Sequence, residues 1–203
     1  MKVGLIFFRH KPLTGTGKGI DKYSYYLVKG LKKYGVETII YQANSRKELF
    51  KLLISEKNER NADLYHAVSP EEGVIAIIAK VRPLIVTVHD ALPFVYWRKS
   101  VFRFSYYCIC YYLSRFADKI IVTSQVSKQL LTKYLRVSPN KFEVIPLGID
   151  LNDIKFYPKS KDDKDVFRIF FVGGTWQQMR LSLIHISEPT RPLYISYAVF
   201  CLK

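Results

Sequence analysis

Short apolar runs alternate along the chain with longer segments in which apolar residues recur every three or four positions. The runs are rich in β-branched residues and bounded by polar or turn residues, which predicts strands at 3–8, 37–41, 64–67, 84–88, 119–123 and 142–145. Helical periodicity predicts helices at 20–34, 46–57, 71–80, 99–116 and 125–135. This alternation predicts an α/β fold, a Rossmann-like parallel sheet with helices on both faces and ligands at the carboxyl ends of its strands.

Two changes in this pattern predict domain boundaries. Residues 155–165 (KFYPKSKDDKD) carry too little apolar side chain to pack, and the run 169–174 (IFFVGG) then reads like the start of a second α/β domain. We therefore assign residues 1–150 to an N-terminal Rossmann-like domain, 151–165 to an interdomain linker and 166–180 to the first strand of a second domain. Too few residues follow to complete that domain, so we expect it to be truncated.

Residues 181–203 (LSLIHISEPTRPLYISYAVFCLK) have the sequence expected of translated adapter DNA. The segment 181–191 reverse-translates codon for codon into the transposase-end adapter of sequencing libraries, and 195–202 matches the flow-cell end of the same adapter. A genuine amphipathic tail is the alternative. We interpret this segment as an adapter-derived artefact and exclude it from the fold prediction.

The strongly basic composition narrows the partners without choosing among them. The formal net charge is +15, and almost all of it belongs to residues 1–180. A basic surface favours nucleotides, nucleic acid or anionic lipid headgroups. The first apolar run is too short for a secretion signal, and Cys108 and Cys110 suggest neither a disulfide framework nor a metal site. A cytoplasmic location is therefore predicted, with membrane association left open.

A glycine-rich loop follows the first predicted strand and leads directly into a helix. Gly15, Gly17 and Gly19 would let the backbone approach a ligand closely, and free amides at the helix N-terminus favour phosphate or sugar oxygens. The G-x-G-x-G spacing differs from the dinucleotide fingerprint, and Lys18 precedes Gly19, whereas a P-loop has Gly-Lys followed by Ser or Thr. A dinucleotide oxidoreductase and a P-loop NTPase are therefore disfavoured. A tight turn without a ligand is the alternative.

Further polar residues follow three of the other predicted strands. His89 and Asp90 come after the fourth, where the imidazole can donate a hydrogen bond to a ligand hydroxyl and the carboxylate can fix the ring or cap the next segment. A structural role is the alternative for this pair. His66 ends the third strand, with a buried, hydrogen-bonded histidine as its alternative. Ser124 follows the fifth strand, where an N-cap of the next helix is the favoured interpretation.

These pieces occur in a characteristic order: 15–20 (GTGKGI), 87–90 (TVHD), 115–124 (RFADKIIVTS), 144–150 (VIPLGID) and 171–174 (FVGG). The series resembles the N-terminal domain of the family 4 glycosyltransferases, retaining enzymes with the two-domain GT-B architecture, over nearly all of residues 1–174. The resemblance implies the N-terminal half of a GT-B fold, with residues 1–150 as the acceptor-side domain and 166–180 as the start of the donor-binding domain. It also implies that the glycine loop and His89 line a cleft beside the donor diphosphate and the transferred sugar.

From the resemblance we predict His89 as the catalytic residue. The predicted substrate-binding residues are Gly15, Gly17, Gly19, Asp90 and Ser124. No metal ligand and no resident cofactor are predicted, since the nucleotide-sugar donor is a co-substrate. The basic pair and the glutamates that bind the donor in this family belong to the second domain and cannot be placed here, so this chain by itself should be inactive.

The predicted function is transfer of a sugar, with retention, from a nucleotide-sugar donor to a glycan, lipid-linked or small acceptor. The alternative is a non-catalytic basic α/β module that binds phosphate groups, a membrane surface or RNA. No sequence-specific nucleic-acid partner is predicted, because the usual recognition signatures are absent from the sequence. An anionic membrane surface is left open as a partner.

The predicted helix at 99–116 carries aromatic residues on more than one side, with basic residues among them. Its spacing predicts a core-facing stripe of Phe102, Tyr106, Ile109, Leu113 and Phe116. Packing between the sheet and its neighbours is the favoured interpretation of the helix. A basic-aromatic surface that rests on a membrane is the alternative.

Overall fold

The computed structural model describes residues 1–8, 19–91, 94 and 101–148, with the backbone alone for 101–104. The described residues belong to one compact unit, Met1–Gly148. Its strands are β1 (Lys2–Phe8), β2 (Glu37–Ala43), β3 (Leu64–Ala67), β4 (Leu84–Val88), β5 (Lys119–Val122) and β6 (Phe142–Val144). Its helices are α1 (Gly19–Lys33), α2 (Arg46–Glu59), α3 (Pro70–Ile78), α4 (Val101–Leu113) and α5 (Gln125–Leu135), with short 3-10 turns at Ser114–Phe116 and Pro139–Lys141.

The six strands and five helices predicted within residues 1–148 are present, and the sheet is parallel throughout with the order β2-β1-β3-β4-β5-β6. The linker predicted at 151–165, the strand predicted within 166–180 and the adapter-derived segment 181–203 lie outside the described residues. With this strand order, the chain leaves β1 on one side to form β2 and returns on the other side to form β3. In open α/β sheets, ligands bind outside the carboxyl ends of the strands at such a reversal of direction. The strand order therefore predicts a ligand site at the carboxyl ends of β1, β3 and β4.

Alternate residues of the strands face two apolar layers, as a parallel sheet covered on both sides requires. On one face, α1 packs Val28 against Val3, Leu5, Phe7 and Val68. On the other face, side chains from α2, α3, α4 and α5 form a larger core with the intervening strand residues. The predicted α/β class with helices on both faces is confirmed.

Specific residues fix where helices begin, end and approach the sheet. Ser45 and Ser69 accept backbone hydrogen bonds as the N-caps of α2 and α3. Gly35, just after α1, has φ of 71°, a left-handed conformation that favours glycine. A Cβ on Gly73 would lie 2.8 Å from Val86 Cγ2, so α3 can pack against β4 only with glycine there.

The outer surface of α4 differs from the predicted one. Ile109 and Phe116 were predicted to face the core but are 56% and 49% exposed, whereas Tyr111, predicted to lie off the stripe, is buried. The prediction was wrong because apolar residues on several sides of the helix leave its rotation ambiguous. The observed rotation of α4 instead turns Tyr111 inward. Its hydroxyl donates a hydrogen bond to Asp90, and its ring packs edge-on against Phe94.

Candidate active site

His89 follows β4 and ties together the ends of three neighbouring strands. Its Nε2 lies 3.0 Å from the carbonyl oxygen of Val68, just after β3. The backbone carbonyl of His89 accepts a hydrogen bond of 2.7 Å from Thr123 Oγ1, just after β5. The half-buried imidazole is therefore held beside the crevice between β1 and β3, where the strand order places a ligand.

Two residues that were not predicted as site residues, Tyr23 and Thr87, connect His89 to the interior. Tyr23, on α1, packs its ring edge-on against His89 with centroids 4.8 Å apart. Its hydroxyl lies 3.2 Å from Thr87 Oγ1. Thr87 is fully buried, and its Oγ1 is also 2.7 Å from His66 Nε2. A chain of hydrogen bonds therefore runs from β3 through β4 to α1 and ends beside the His89 ring.

His66 has the buried, hydrogen-bonded environment considered as its alternative. Burial and, to a smaller extent, the neighbouring charge of His89 together lower the pKa of His66 to about 4. The His66 ring is therefore neutral at neutral pH. Burial likewise raises the pKa of Tyr23, against a smaller opposing effect of its hydrogen bond to Thr87, so its hydroxyl keeps its proton.

Asp90 points its carboxylate toward α4, where Oδ1 accepts a hydrogen bond of 3.2 Å from the Tyr111 hydroxyl. Burial and then the charge of Asp90 raise the pKa of Tyr111 well above its usual value. Asp90 thus helps to hold α4 against the carboxyl end of β4. The predicted contact between Asp90 and a substrate stays a prediction.

Glu72 is a buried carboxylate beside the carboxyl end of β1, at the switch point of the sheet. It was not predicted as a site residue. It is 1% exposed, and its Oε1 accepts a 3.0 Å hydrogen bond from the backbone amide of Phe8, the last residue of β1. Its Oε2 accepts a hydrogen bond from the Ser69 hydroxyl. Glu72 therefore fixes the end of β1 against the start of α3. Glu71 and Glu72 both lie in the first turn of α3, where acidic residues are common, so the sequence does not distinguish the buried one.

Of the three glycines predicted to bind substrate, only Gly19 lies within the described residues. Gly15 and Gly17 lie outside the described residues, and their binding roles stay predictions. Gly19 begins α1 and is exposed. A Cβ added to Gly19 would meet no atom within 4 Å, so packing within the described structure does not require glycine there.

Ser124 has the favoured structural role. Its hydroxyl oxygen accepts a 3.1 Å hydrogen bond from the Ser127 amide as the N-cap of α5, and it lies 3.0 Å from the Ser127 hydroxyl. The structure does not bring Ser124 into contact with His89 through any of these hydrogen bonds. Its predicted role in substrate binding stays a prediction.

The described part of the chain contains neither a metal-binding cluster nor a membrane-spanning helix. Within residues 1–8, 19–91, 94 and 101–148, no group of three or more His, Cys, Asp or Glu side chains is arranged to hold a metal ion. Across the same ranges, no helix combines the length and apolar character needed to cross a bilayer. The groups gathered at the carboxyl edge are instead imidazoles, hydroxyls and one buried carboxylate.

Comparison with known proteins gives a consistent result. The profile of Glycosyltransferase Family 4 matches residues 44–153, more than half of the chain. The UDP-Gal:alpha-D-GlcNAc-diphosphoundecaprenol alpha-1,3-galactosyltransferase of Escherichia coli is 29% identical over 155 residues, which cover 70% of this chain and 38% of that protein. The apo structure of the lipopolysaccharide outer core galactosyltransferase WaaB is similar in fold, with a TM-score of 0.53 and 12% identity over 80% of this chain and 50% of that one. The chain thus spans well under two thirds of the length of these relatives.

Proposed function

The chain belongs to glycosyltransferase family 4, and from that premise we propose that it is the acceptor-side, N-terminal part of a retaining glycosyltransferase. The enzyme would transfer a sugar from a nucleotide-sugar donor to a glycan, lipid-linked or small acceptor. The observation that carries the proposal is the position of His89 after β4, held through Val68 and Thr123 beside the switch point of a parallel sheet.

The proposed role of His89 is to hydrogen-bond a hydroxyl of the transferred sugar as the bond to the diphosphate breaks. A contact of this kind accelerates the reaction only if it is stronger in the transition state than in the ground state. A ring that is already oriented before substrate binds satisfies that condition with little reorganisation. Three contacts, with Val68, Thr123 and Tyr23, support such an orientation for His89.

The donor half of the site is proposed to lie in the second domain. Loss of a diphosphate requires positive charge or hydrogen-bond donors at the leaving group, and the residues that supply them in this family cannot be placed in residues 1–180. We therefore propose that this chain alone does not turn over. The nucleotide sugar acts as a co-substrate, and the proposed chemistry needs no resident cofactor.

A lipid-linked acceptor is the finer part of the proposal. The Escherichia coli relative is named for a diphosphoundecaprenol-linked acceptor. On α4 and the turn after it, Ile109, Tyr112 and Phe116 are exposed, and Arg115 lies over the rings of Tyr112 and Phe116. Exposed aromatic rings with a cation beside them suit the interface of an anionic membrane. We propose that this surface, on the cytoplasmic side of a membrane, brings the enzyme to its acceptor.

Sequencing the source DNA past codon 180 and expressing the restored reading frame tests the function. We expect a second α/β domain, and transfer of sugar from one member of a nucleotide-sugar panel to α-D-GlcNAc-diphosphoundecaprenol or a related acceptor, with the donor's anomeric configuration kept in the product. A natural stop soon after codon 180 would instead favour the non-catalytic phosphate-binding module. So would the absence of transfer from every donor and acceptor combination.

Sedimentation with vesicles tests the membrane surface. Tyr112→Ser with Phe116→Ser should reduce binding to phosphatidylglycerol vesicles at least severalfold, while Tyr34→Ser, which changes a tyrosine that is 83% exposed on another part of the molecule, should not. Equal binding by both variants would remove α4 as the membrane contact.

A further inference from the structure

Tyr23 contacts both His89 and the buried threonine two residues before it, and no sequence motif or family match assigns it a role. We propose that Tyr23, anchored by Thr87 and His66, is a positioning residue that sets the orientation of the His89 ring. The functional consequence rests on the proposed role of His89. The positioning itself can be measured without any substrate.

The geometry follows from the pleat of the sheet. Thr87 and His89 are two residues apart, so their side chains start from the same face, the one that α1 covers. Tyr23 lies on α1 and reaches both of them. Its ring meets the imidazole edge-on at an interplanar angle of 84°, and its hydroxyl lies 3.2 Å from Thr87 Oγ1. One side chain therefore links the helix after the glycine-rich segment to the proposed catalytic ring.

The anchor at the inner end of Tyr23 is a hydroxyl with two partners. Thr87 has one proton to donate, and its oxygen lies within hydrogen-bonding distance of both the Tyr23 hydroxyl and His66 Nε2. Either His66 donates to Thr87, which donates to Tyr23, or Tyr23 donates to Thr87, which donates to His66. Both arrangements give Thr87 two hydrogen bonds and hold the Tyr23 oxygen beside it. Thr87 is fully buried, and a hydrogen bond is electrostatically stronger in the low-dielectric interior, so this anchor is firm.

The anchored ring restricts His89 in addition to its hydrogen bonds with Val68 and Thr123. Val68 binds one ring nitrogen, and Thr123 holds the backbone carbonyl. Rotation about the side-chain torsions of His89 would move the imidazole into or away from the Tyr23 ring. Removing that ring leaves space for the imidazole to tilt, and a displacement of about 1 Å at a reacting group can cost on the order of a hundredfold in rate.

NMR of the full chain with 15N,13C-labelled histidine tests the proposal directly. The His89 ring signals are assigned by their loss in His89→Ala. We expect Tyr23→Leu to shift both ring C–H signals of His89, through the lost ring current and the altered tilt. Tyr23→Phe should shift them less, because it keeps the ring and loses only the bond to Thr87. Tyr25→Leu, on the same helix but packed against Tyr26, should leave them unchanged.

Conservative changes at the anchor keep the test decisive if Tyr23→Leu fails to fold. Thr87→Ser retains the hydroxyl and should give His89 signals like those of the original chain, whereas Thr87→Val should reproduce the shift of Tyr23→Phe. Folding of each variant is checked by far-UV circular dichroism. Unchanged His89 signals in folded Tyr23→Leu overturn the proposal. If that variant is unfolded, unchanged signals in both Tyr23→Phe and Thr87→Val overturn it.

Kinetics of the restored enzyme separate this proposal from the proposed function. Tyr23→Phe and Thr87→Val should lower kcat by roughly ten- to a hundredfold with little change in KM, and Thr87→Ser should restore it. If His89→Ala turns over normally while the NMR shifts occur as expected, the catalytic role of His89 fails and the positioning stands. Normal kcat in Tyr23→Phe and Thr87→Val, with His89→Ala impaired, overturns the consequence claimed for Tyr23.

Discussion

Two polar clusters, each with buried members, lie at different edges of the sheet, and they are built in different ways. The carboxyl-edge cluster consists of Tyr23, His66, Thr87 and His89, which come from α1, β3, β4 and the residue after β4. The amino-edge cluster lies where α2 ends and β3 begins. It consists of Glu56, Asn61 and Tyr65, all within ten residues of one another in sequence.

The amino-edge cluster holds a charge in a fixed arrangement. Glu56 is 3% exposed and accepts hydrogen bonds from the Tyr65 hydroxyl at 2.5 Å, the Asn61 amide at 2.8 Å and the Asn61 side chain at 3.0 Å. Burial opposes ionisation, but these hydrogen bonds hold the pKa of Glu56 below its usual value. An ionised carboxylate can only accept, so each of these hydrogen bonds has one possible direction. A fixed arrangement of this kind serves stability.

The carboxyl-edge cluster holds neutral groups whose donor and acceptor roles can exchange. Its hydroxyls and imidazoles can each donate or accept, and they join elements far apart in sequence. Both clusters contain buried polar groups, so burial of a polar group does not by itself indicate function. The distinguishing features are exchangeable hydrogen bonds and a half-buried member, His89, at an edge where ligands bind.

The largest expected effect is at His89. In the restored enzyme, His89→Ala should lower kcat by roughly a hundred- to a thousandfold, which corresponds to about 2.7 to 4 kcal/mol, because a hydrogen bond to the transferred sugar that strengthens in the transition state is lost. The unfolding midpoint should change little, since His89 is only half-buried. Measuring kcat and the urea midpoint together decides it. A destabilised protein whose folded fraction turns over normally would make His89 structural, like the members of the amino-edge cluster.

The His66 prediction concerns acid stability. Its pKa is about 4 in the folded chain and about 6.5 when unfolded, so the unfolded state binds the extra proton first as the pH falls. Its contribution is complete above pH 6.5 and is lost between pH 6.5 and 4, by about 3 kcal/mol. We expect the free energy of unfolding from urea titrations to fall less over this range in His66→Gln. Parallel pH profiles of the two proteins would show that His66 titrates normally.

These two expectations could be drawn only partly from the sequence. The strands and helices were predictable because each carries a clear period and a turn or cap at its ends, and the boundaries of β3, β4 and α5 were predicted correctly. His66 was identifiable because it lies near the carboxyl end of a strand, and His89 and Ser124 because they follow strands. The rotation of α4 was not, because apolar residues on several sides of that helix leave more than one way to bury it.

Contacts between distant elements account for the rest. Thr87 could have been noticed as the residue two before His89 on the same face, but the approach of Tyr23 depends on how α1 packs across the sheet. Glu72 meets the Phe8 amide over a separation of 64 residues, which no local pattern encodes. The sequence thus indicates which strand ends matter, and packing decides which side chains meet there.

A smaller effect is expected at Glu56. Glu56→Gln removes the charge from three hydrogen bonds and should lower the free energy of unfolding by about 1 to 3 kcal/mol at pH 7. Because the folded pKa of Glu56 is held down, its contribution is present above the unfolded value of about 4.3 and is lost as the pH falls through the folded pKa. The difference between the two proteins should therefore shrink below pH 4. A constant difference would mean that shape, not charge, sets the cost. The positions of the His89 ring signals in NMR spectra at pH 7 should not change.

The smallest effect on stability is expected at Gly19. Gly19→Ala should leave the free energy of unfolding within about 0.5 kcal/mol, since the added methyl meets no atom within 4 Å. In the restored enzyme it should raise KM for the donor if backbone at this position approaches a phosphate. Unchanged kinetics would assign the glycine to the turn alone. A loss of several kcal/mol would mean that an undescribed part of the chain packs there.

The strand order also bears on how the domain forms during synthesis. β1 emerges first and offers two edges, one to β2 and the other to β3. From β3 onward, β4, β5 and β6 join the growing edge in the order in which the ribosome releases them, so no late strand has to insert between two that are already paired. Nascent chains arrested after each successive strand should therefore hold progressively wider sheets, with the crevice between β1 and β3 present from the third strand onward. The three strands that surround the switch point, β1, β2 and β3, are thus the first part of the sheet that can fold.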